Sequence, residues 1–317
     1  MRFIINVSLL KYVTLKFACF IFHFTCLNAD IGDFSQLRTL ENGFWNVRVP
    51  FRMVGVEIGT HMSIIRLQNG RFLIIDTVAM NDELKHEFNQ LTSNGSNIEA
   101  VVAVHPFHTL AYSAFHKLYP NVKYYGTPRH LRKISEIHWA GQLDADENKE
   151  LLSKWAPEVE LRIPDGAEYY NPRPEAINHF VSVFVYHSKS KTLHVDDTLI
   201  YIETSIWPIN LLLQPGSLIF HPSLIIGLKP DAEAPLQFHK WMNQILKDWN
   251  IENLCTAHVG VKVGGAQSAI QKLVNDSEVL FQGISELHSR SRLFSFLVDK
   301  FSEPFGQIVE YLSAIIS

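Results

Sequence analysis

Apolar and polar positions alternate over short distances in the first part of the chain. Phe44-Trp45-Asn46-Val47-Arg48-Val49 reads as a strand, and two further apolar runs, 61–67 and 71–76, flank Gln68-Asn69-Gly70. An Asn-Gly pair between apolar runs accepts the positive backbone dihedrals of a tight hairpin. The period then lengthens: Leu84, Phe88 and Leu91 fall on one face of a helix predicted over 81–91. A strand over 100–104 runs into His105, followed by a helix over 110–118 and a short strand over 122–125.

The stretch 126–170 is mixed, with a helical segment at 147–155. Residues 180–186 read as a strand, and 192–195 as its hairpin partner across Ser188-Lys189-Ser190. Residues 201–235 are apolar and punctuated by proline, which suits a loop or lid over a pocket. An amphipathic helix follows over 236–249, with Leu236, Trp241, Ile245, Leu246 and Trp249 on its apolar face. The last strand, 254–257, ends at His258. Leu293, Phe296, Leu297 and Phe301, then Ile308, Leu312 and Ile315, predict two core-covering helices split at Pro304. Hairpins, then strand–helix alternation, then hairpins again predict two packed sheets with outer helices.

Composition narrows the setting. A hydrophobic fraction of 47% over 317 residues supports a large core, and a net charge of −4 without a basic block argues against a nucleic-acid partner. Lys11 and Lys16 precede the apolar run 17–24, and Cys26-Leu27-Asn28-Ala29 leads into a polar stretch at Asp30. This is the layout of a secretory signal over 1–29 cleaved after Ala29. The alternative is an uncleaved membrane anchor, although the run is short for a span and contains His23. The remaining chain divides into a main domain over 30–290 and a helical segment over 291–317. Of three cysteines, Cys19 and Cys26 would leave with the signal and Cys255 would stay alone, in a strand, as a small core residue. Asn94-Gly95-Ser96 and Asn275-Asp276-Ser277 are glycosylation sequons of an expected glycoprotein.

The chemistry concentrates where strands end. Val101-Val102-Ala103-Val104 delivers His105 and His108, and His179, Asp197 and His258 each adjoin another strand-like run. Imidazoles and carboxylates presented at strand ends are how α/β proteins build metal and catalytic sites. The chain has no Gly-x-Ser-x-Gly elbow, no phosphate-cradling glycine loop and no His-Glu-x-x-His.

Over roughly residues 45–262 these features resemble the metallo-β-lactamase superfamily. Leu73-Ile74-Ile75-Asp76-Thr77 resembles its strand ending in aspartate, and His105-Pro106-Phe107-His108-Thr109-Leu110 falls where it carries His-x-His-x-Asp-His. His179 precedes a strand. Val195-Asp196-Asp197-Thr198-Leu199 matches its Gly-Asp-Thr-Leu turn, and Ala257-His258-Val259-Gly260 its late histidine. The resemblance implies a four-layer αββα sandwich.

It also implies a metal site that departs from the pattern. In the second motif only His105 aligns. Phe107 stands at the second histidine, Thr109 and Leu110 replace the aspartate and final histidine, and His108 is one residue out of register. His105, His179 and Asp197 would form one site, leaving Asp197 and His258 for a second. His108 joins only if its loop is remodelled. The expectation is a single ion, zinc or alternatively iron, held among His105, His108, His179, Asp197 and His258, with Asp197 and His105 as the catalytic pair. Such an ion lowers the pKa of its water to about 7 and polarises a carbonyl, which implies hydrolysis of a small ester, amide or lactone. The rival expectation is a fold that has lost its metal and binds a ligand or a protein. Asp196 takes the place of Asp197 if the hairpin register differs by one. Asp76 is expected to organise loops behind the site. His116, His130, His138, His187, His194, His221 and His239 have no motif and read as surface or core. Residues 201–235 and 124–139 are expected to shape the pocket.

Overall fold

A computed structural model describes residues 36–53, 56–144, 149–172, 178–206 and 209–290. The expected signal over 1–29 and the helices over 291–317 lie outside the described residues. Three strands lead the chain: β1 (Gln36–Glu41), β2 (Phe44–Val49) and the short β3 (Arg52–Met53), which forms a ribbon with β4 (Val56–Glu57). They are followed by β5 (Thr60–Arg66), β6 (Phe72–Ile75), β7 (Ile98–Val102), β8 (Tyr124–Gly126) and β9 (Trp139–Gln142). The first sheet runs β1-β2-β5-β6-β7-β8-β9. It is antiparallel through β6 and parallel from β6 to β9. The second sheet holds β10 (Val159–Arg162), β11 (Phe184–His187) and β12 (Thr192–His194). A separate hairpin, β13 (Leu199–Tyr201) with β14 (Leu218–Phe220), precedes the second sheet's last two strands, β15 (Asn253–Cys255) and β16 (Val261–Lys262).

Side-chain alternation assigns the layers. On the first sheet, Val47, Met62, Ile64, Phe72, Ile74, Val101 and Ala103 point to an outer core. That core is covered by α1 (Asp82–Thr92), through Leu84 and Phe88, and by α2 (Tyr112–Leu118), through Tyr112 and Phe115. The opposite face presents Phe44, Ile65, Leu73, Ile75, Val102 and Val104 to the other core. On β11, Phe184 packs edge to face on Trp241 and Tyr186 stacks on Trp249, whereas His187 faces Phe44 of the first sheet. The second sheet therefore packs one face on the first sheet and the other on helices, giving four layers.

The intervening helices are α3 (Pro128–Lys133), α4 (Lys149–Leu152) and α5 (Leu224–Gly227). The second outer layer is α6 (Ala234–Asp248), α7 (Ala266–Asp276) and α8 (Glu278–Ser289). Asn81 caps α1 by accepting from the Leu84 amide at 2.8 Å, and Asp82 and Glu83 complement the positive helix end.

Several boundaries differ from the sequence pattern. The run 180–186 joins the ladder only from Phe184. Before that, the Val183 amide donates to the Val104 carbonyl at 2.9 Å and stitches the two sheets together. Leu236 is exposed on α6, and Phe238 takes the core position predicted for it. Residues 201–235 are not a plain loop, because β14 and α5 occupy part of them. Tyr124 and Trp139 pack in the outer core beside α2 rather than lining the site.

Candidate metal centre

The inner face of the first sheet carries polar residues where its neighbours are apolar. Asn46 and Arg48 on β2 and His61 and Ser63 on β5 are buried there. Opposite them, β12 ends in His194 and leads directly into Asp196 and Asp197. Both sheets thus converge on one buried polar region. The loop after β7 reaches it from a third side, and the turn at His258 from a fourth.

Asp197 is the hub at the mouth. Its Oδ2 lies 3.6 Å from His105 Nε2, 3.7 Å from His108 Nε2 and 3.7 Å from His179 Nδ1, and its Oδ1 lies 3.3 Å from His258 Nε2. Ligands of one tetrahedral ion at 2.0–2.2 Å stand about 3.3–3.6 Å from one another. His105, His108 and Asp197 form a compact group of metal-ligating type. The structure brings together all five residues singled out in the sequence, His108 included. The loop turns through hydrogen bonds from the His108 amide to the His105 carbonyl and from the Thr109 amide to the Phe107 carbonyl, which swing the His108 ring inward. Leu110 points away and is 82% exposed. Phe107 stacks on His179 with ring centroids 4.4 Å apart.

Behind Asp197 lies a second group that sequence reasoning passed over. His61 Nε2 is 3.1 Å from Asp196 Oδ1, and the His61 and His194 rings stack at 4.4 Å. His194 Nε2 is 3.6 Å from both Asp196 Oδ2 and Asp76 Oδ2, and His108 Nδ1 is 3.3 Å from Asp196 Oδ1. His194 had no motif to mark it. The available signal was that Asp196 stands where the family pattern has glycine, and a buried carboxylate there needs partners. Asp196 does not replace Asp197: the two successive carboxylates serve opposite sides of His108. His130 is also more than a core residue. Its Nε2 lies 3.2 Å from the His108 carbonyl and its Nδ1 2.8 Å from Thr127 Oγ1, so it braces the loop from behind.

Supports fix most of these rings from their far side. Phe107 donates its amide to His105 Nδ1 at 3.3 Å. His194 Nδ1 pairs with Ser63 Oγ at 2.9 Å, and His61 Nδ1 with Asn46 Nδ2 at 3.2 Å. His258 Nδ1 bonds the Gly59 carbonyl, and Arg48 donates to the Thr256 carbonyl at 2.9 Å, holding the turn that presents His258. Asp76 Oδ1 accepts from the Val104 amide at 3.0 Å and from Tyr112, organising the loop as expected.

The electrostatics follow from burial. Desolvation pulls His105 down to about 3, reinforced by His108, so its ring is neutral. Burial works against charge on His108 and His194, yet the carboxylates around them prevail and hold both at about 9. Asp197, despite burial, is held well below the usual carboxylate range by His258, His179, His105 and His108. Burial and the neighbouring Asp196 raise Asp76 to about 6.

The donor set fits a metal ion. His108 Nδ1 and Nε2, His194 Nε2, Asp76 Oδ2, Asp196 Oδ2 and Asp197 Oδ1 are all buried and make no hydrogen bond among the described residues. Buried polar atoms are rarely left so, and this many in one place point to an ion.

A family model described as "Domain of unknown function (DUF4336)" matches residues 41–226. The chain belongs to the DUF4336 family. The similar solved structures place this DUF4336 chain in the metallo-β-lactamase fold. TMB-1 superposes with a TM-score of 0.52 at 12% identity, over 78% of this chain and 99% of that one. The DIM-1 metallo-β-lactamase exposed to ceftazidime gives 0.51 at 12%, over 79% and 100%. VMB-1 at pH 5.5 gives 0.50 at 13%, over 78% and 99%. A search of curated proteins found no match. At these identities the likeness concerns the fold of the DUF4336 chain; its chemistry rests on its own residues.

Proposed function

We propose that this DUF4336 protein is a metal-dependent hydrolase of a small ester-, amide- or lactone-type substrate, with its ion at the mouth beside Asp197. The observation that carries this reading is the convergence of His105, His108, His179 and His258 on one buried aspartate. Imidazoles with one carboxylate suit zinc, and iron as the alternative. When bound, such an ion polarises a carbonyl oxygen and acidifies water. The chain's own residues do the rest. Asp197 stays ionised and gathers the imidazoles, His105 stays neutral, and the partly exposed His179 borders the solvent side together with Phe107. The amino-terminal apolar run after Lys11 and Lys16 supports delivery to the secretory pathway.

One observation favours a second reading, a metal-free binding module. His105 Nε2 lies 3.0 Å from the His179 carbonyl, and it must release that oxygen to ligate. A protonated His108 between Asp196 and Asp197 would then balance the buried charge. Metal analysis of the purified protein beside a His105→Ala/His179→Ala variant, with an ester, amide and lactone hydrolysis screen, decides between them. Bound zinc or iron that the folded variant loses, together with turnover, supports the hydrolase. A metal-free wild type from metal-replete medium overturns it.

A further inference from the structure

The five residues at the mouth leave the inner carboxylates and His194 unexplained. We propose that a second metal position lies inward of the first, held by Asp76, His108, His194 and Asp196, with the His108 ring bridging the two positions. This rests on the mouth site being a metal site.

First, the atoms that face inward lack hydrogen-bond partners: Asp76 Oδ2, His194 Nε2, Asp196 Oδ2 and His108 Nδ1 are buried and without a hydrogen bond among the described residues. The side chains of Asp76, His194 and Asp196 are at most 1% exposed. His194 Nε2 stands 3.6 Å from both Asp76 Oδ2 and Asp196 Oδ2, the edge of a ligand shell whose donors lie about 3.3–3.6 Å apart around one ion, and His108 Nδ1 stands 3.3 Å from the other Asp196 oxygen, Oδ1. Asp76, His108 and Asp196 form one compact ligand group, and His61, His194 and Asp196 another beside it.

Second, the opposite atoms are already engaged. Asp76 Oδ1 takes the Val104 amide and Tyr112 hydroxyl, His194 Nδ1 meets Ser63 Oγ, and Asp196 Oδ1 is shared between His61 Nε2 and His108 Nδ1. A ligand whose far atom is fixed by a hydrogen bond, leaving the near atom free, is the arrangement that orients metal ligands.

His108 joins the two positions because its nitrogens diverge. Nδ1 faces Asp196 and Nε2 faces Asp197. The out-of-register histidine therefore does something that a strict His-x-His spacing would not. The inner ion, a first-row divalent cation, would have four protein ligands and no open position, which is the pattern of a structural site. Chemistry would stay at the mouth, where His179 is partly exposed.

The test counts zinc per chain in the full protein after growth in zinc-replete medium, with folding checked by circular dichroism. The expected result is two ions in the wild type, one in His194→Asn, and one in His179→Ala. A wild type with a single ion that His194→Asn retains overturns the inner position and leaves the mouth site standing. Two ions in both wild type and His194→Asn place the second ion elsewhere and also overturn it. A wild type with none removes both readings. If His194→Asn does not fold, His179→Ala decides: one retained ion supports the inner position, and loss of both overturns it.

Discussion

The Tyr112 hydroxyl donates to Asp76 Oδ1 at 2.7 Å, tying the start of α2 to the end of β6 directly beneath the candidate site. Both residues are buried, and the same oxygen accepts the Val104 amide at 3.0 Å. This one oxygen sets the direction of the carboxylate and, through Val104, the exit of the chain toward His105.

Tyr112→Phe keeps the ring and removes only the donor. A hydrogen bond to a charged acceptor contributes about 1.5–3 kcal/mol. We expect a loss of that size in urea unfolding, with an unchanged slope. A loss near zero would mean that the Val104 amide alone suffices to hold Asp76.

Gly227 marks a close approach behind His179. A Cβ built on it would stand 2.2 Å from Phe180 Cβ, and Phe180 is fully buried. Gly227→Ala should cost about 1–3 kcal/mol by overpacking. In a Gly227→Ala/Phe180→Gly double variant the combined loss should be less than the sum of the two separate losses, because removing the Phe180 Cβ and ring relieves the clash. Additive losses would show that the clash is absorbed elsewhere.

How much of this was legible in the sequence depends on periodicity. The hairpin around Asn69-Gly70, the helix capped by Asn81 and the strand into His105 are local patterns, and they fold as they read. The convergence on Asp197 was reachable because each residue sits at a strand end. The inner group was not. His61 and His194 alternate like any core residue on a strand, and only the register of β2 with β5 and of β11 with β12 sets them face to face. Leu236 misled because a helix can begin with an apolar residue outside the buried stripe. His108 looked displaced because motif spacing assumes one loop conformation, and the turn at 105–109 is another.

Cys255 tests the burial of β15. The thiol is fully buried, and burial pushes it up to about 12. Only the thiolate reacts with alkylating reagents. Iodoacetamide at pH 8 should therefore leave Cys255 unmodified in the folded protein and label it fully in guanidinium, as read by peptide mapping. The sign of the linkage is fixed as well. With a folded value above the ordinary one of 9.0, this thiol's contribution to stability is intact below pH 9 and is lost as pH rises toward 12. Rapid native labelling would show that the strand opens.

Arg129 supports the turn that carries His105 and His108. One guanidinium nitrogen donates to the Pro106 carbonyl at 2.8 Å, and the group lies 4.4 Å from the centre of the Phe107 ring, which itself stacks on His179. The side chain therefore braces the turn that aims His105 and His108. Partners that orient ligands cost about 10–100-fold in metal affinity when removed. Arg129→Ala should weaken zinc binding within that range while leaving the metal-free protein folded. Ligand binding adds stability according to concentration over Kd, about 2.7 kcal/mol at a hundredfold excess. The zinc-induced rise in Tm should accordingly shrink in Arg129→Ala, and Asp197→Asn should abolish the part due to the mouth position. Arg129→Lys should restore little, because an ammonium cannot bond the carbonyl and stack flat on Phe107 together. A zinc-induced Tm shift in Arg129→Ala equal to that of the wild type would show that the turn holds His105 and His108 by its own backbone hydrogen bonds and by His130.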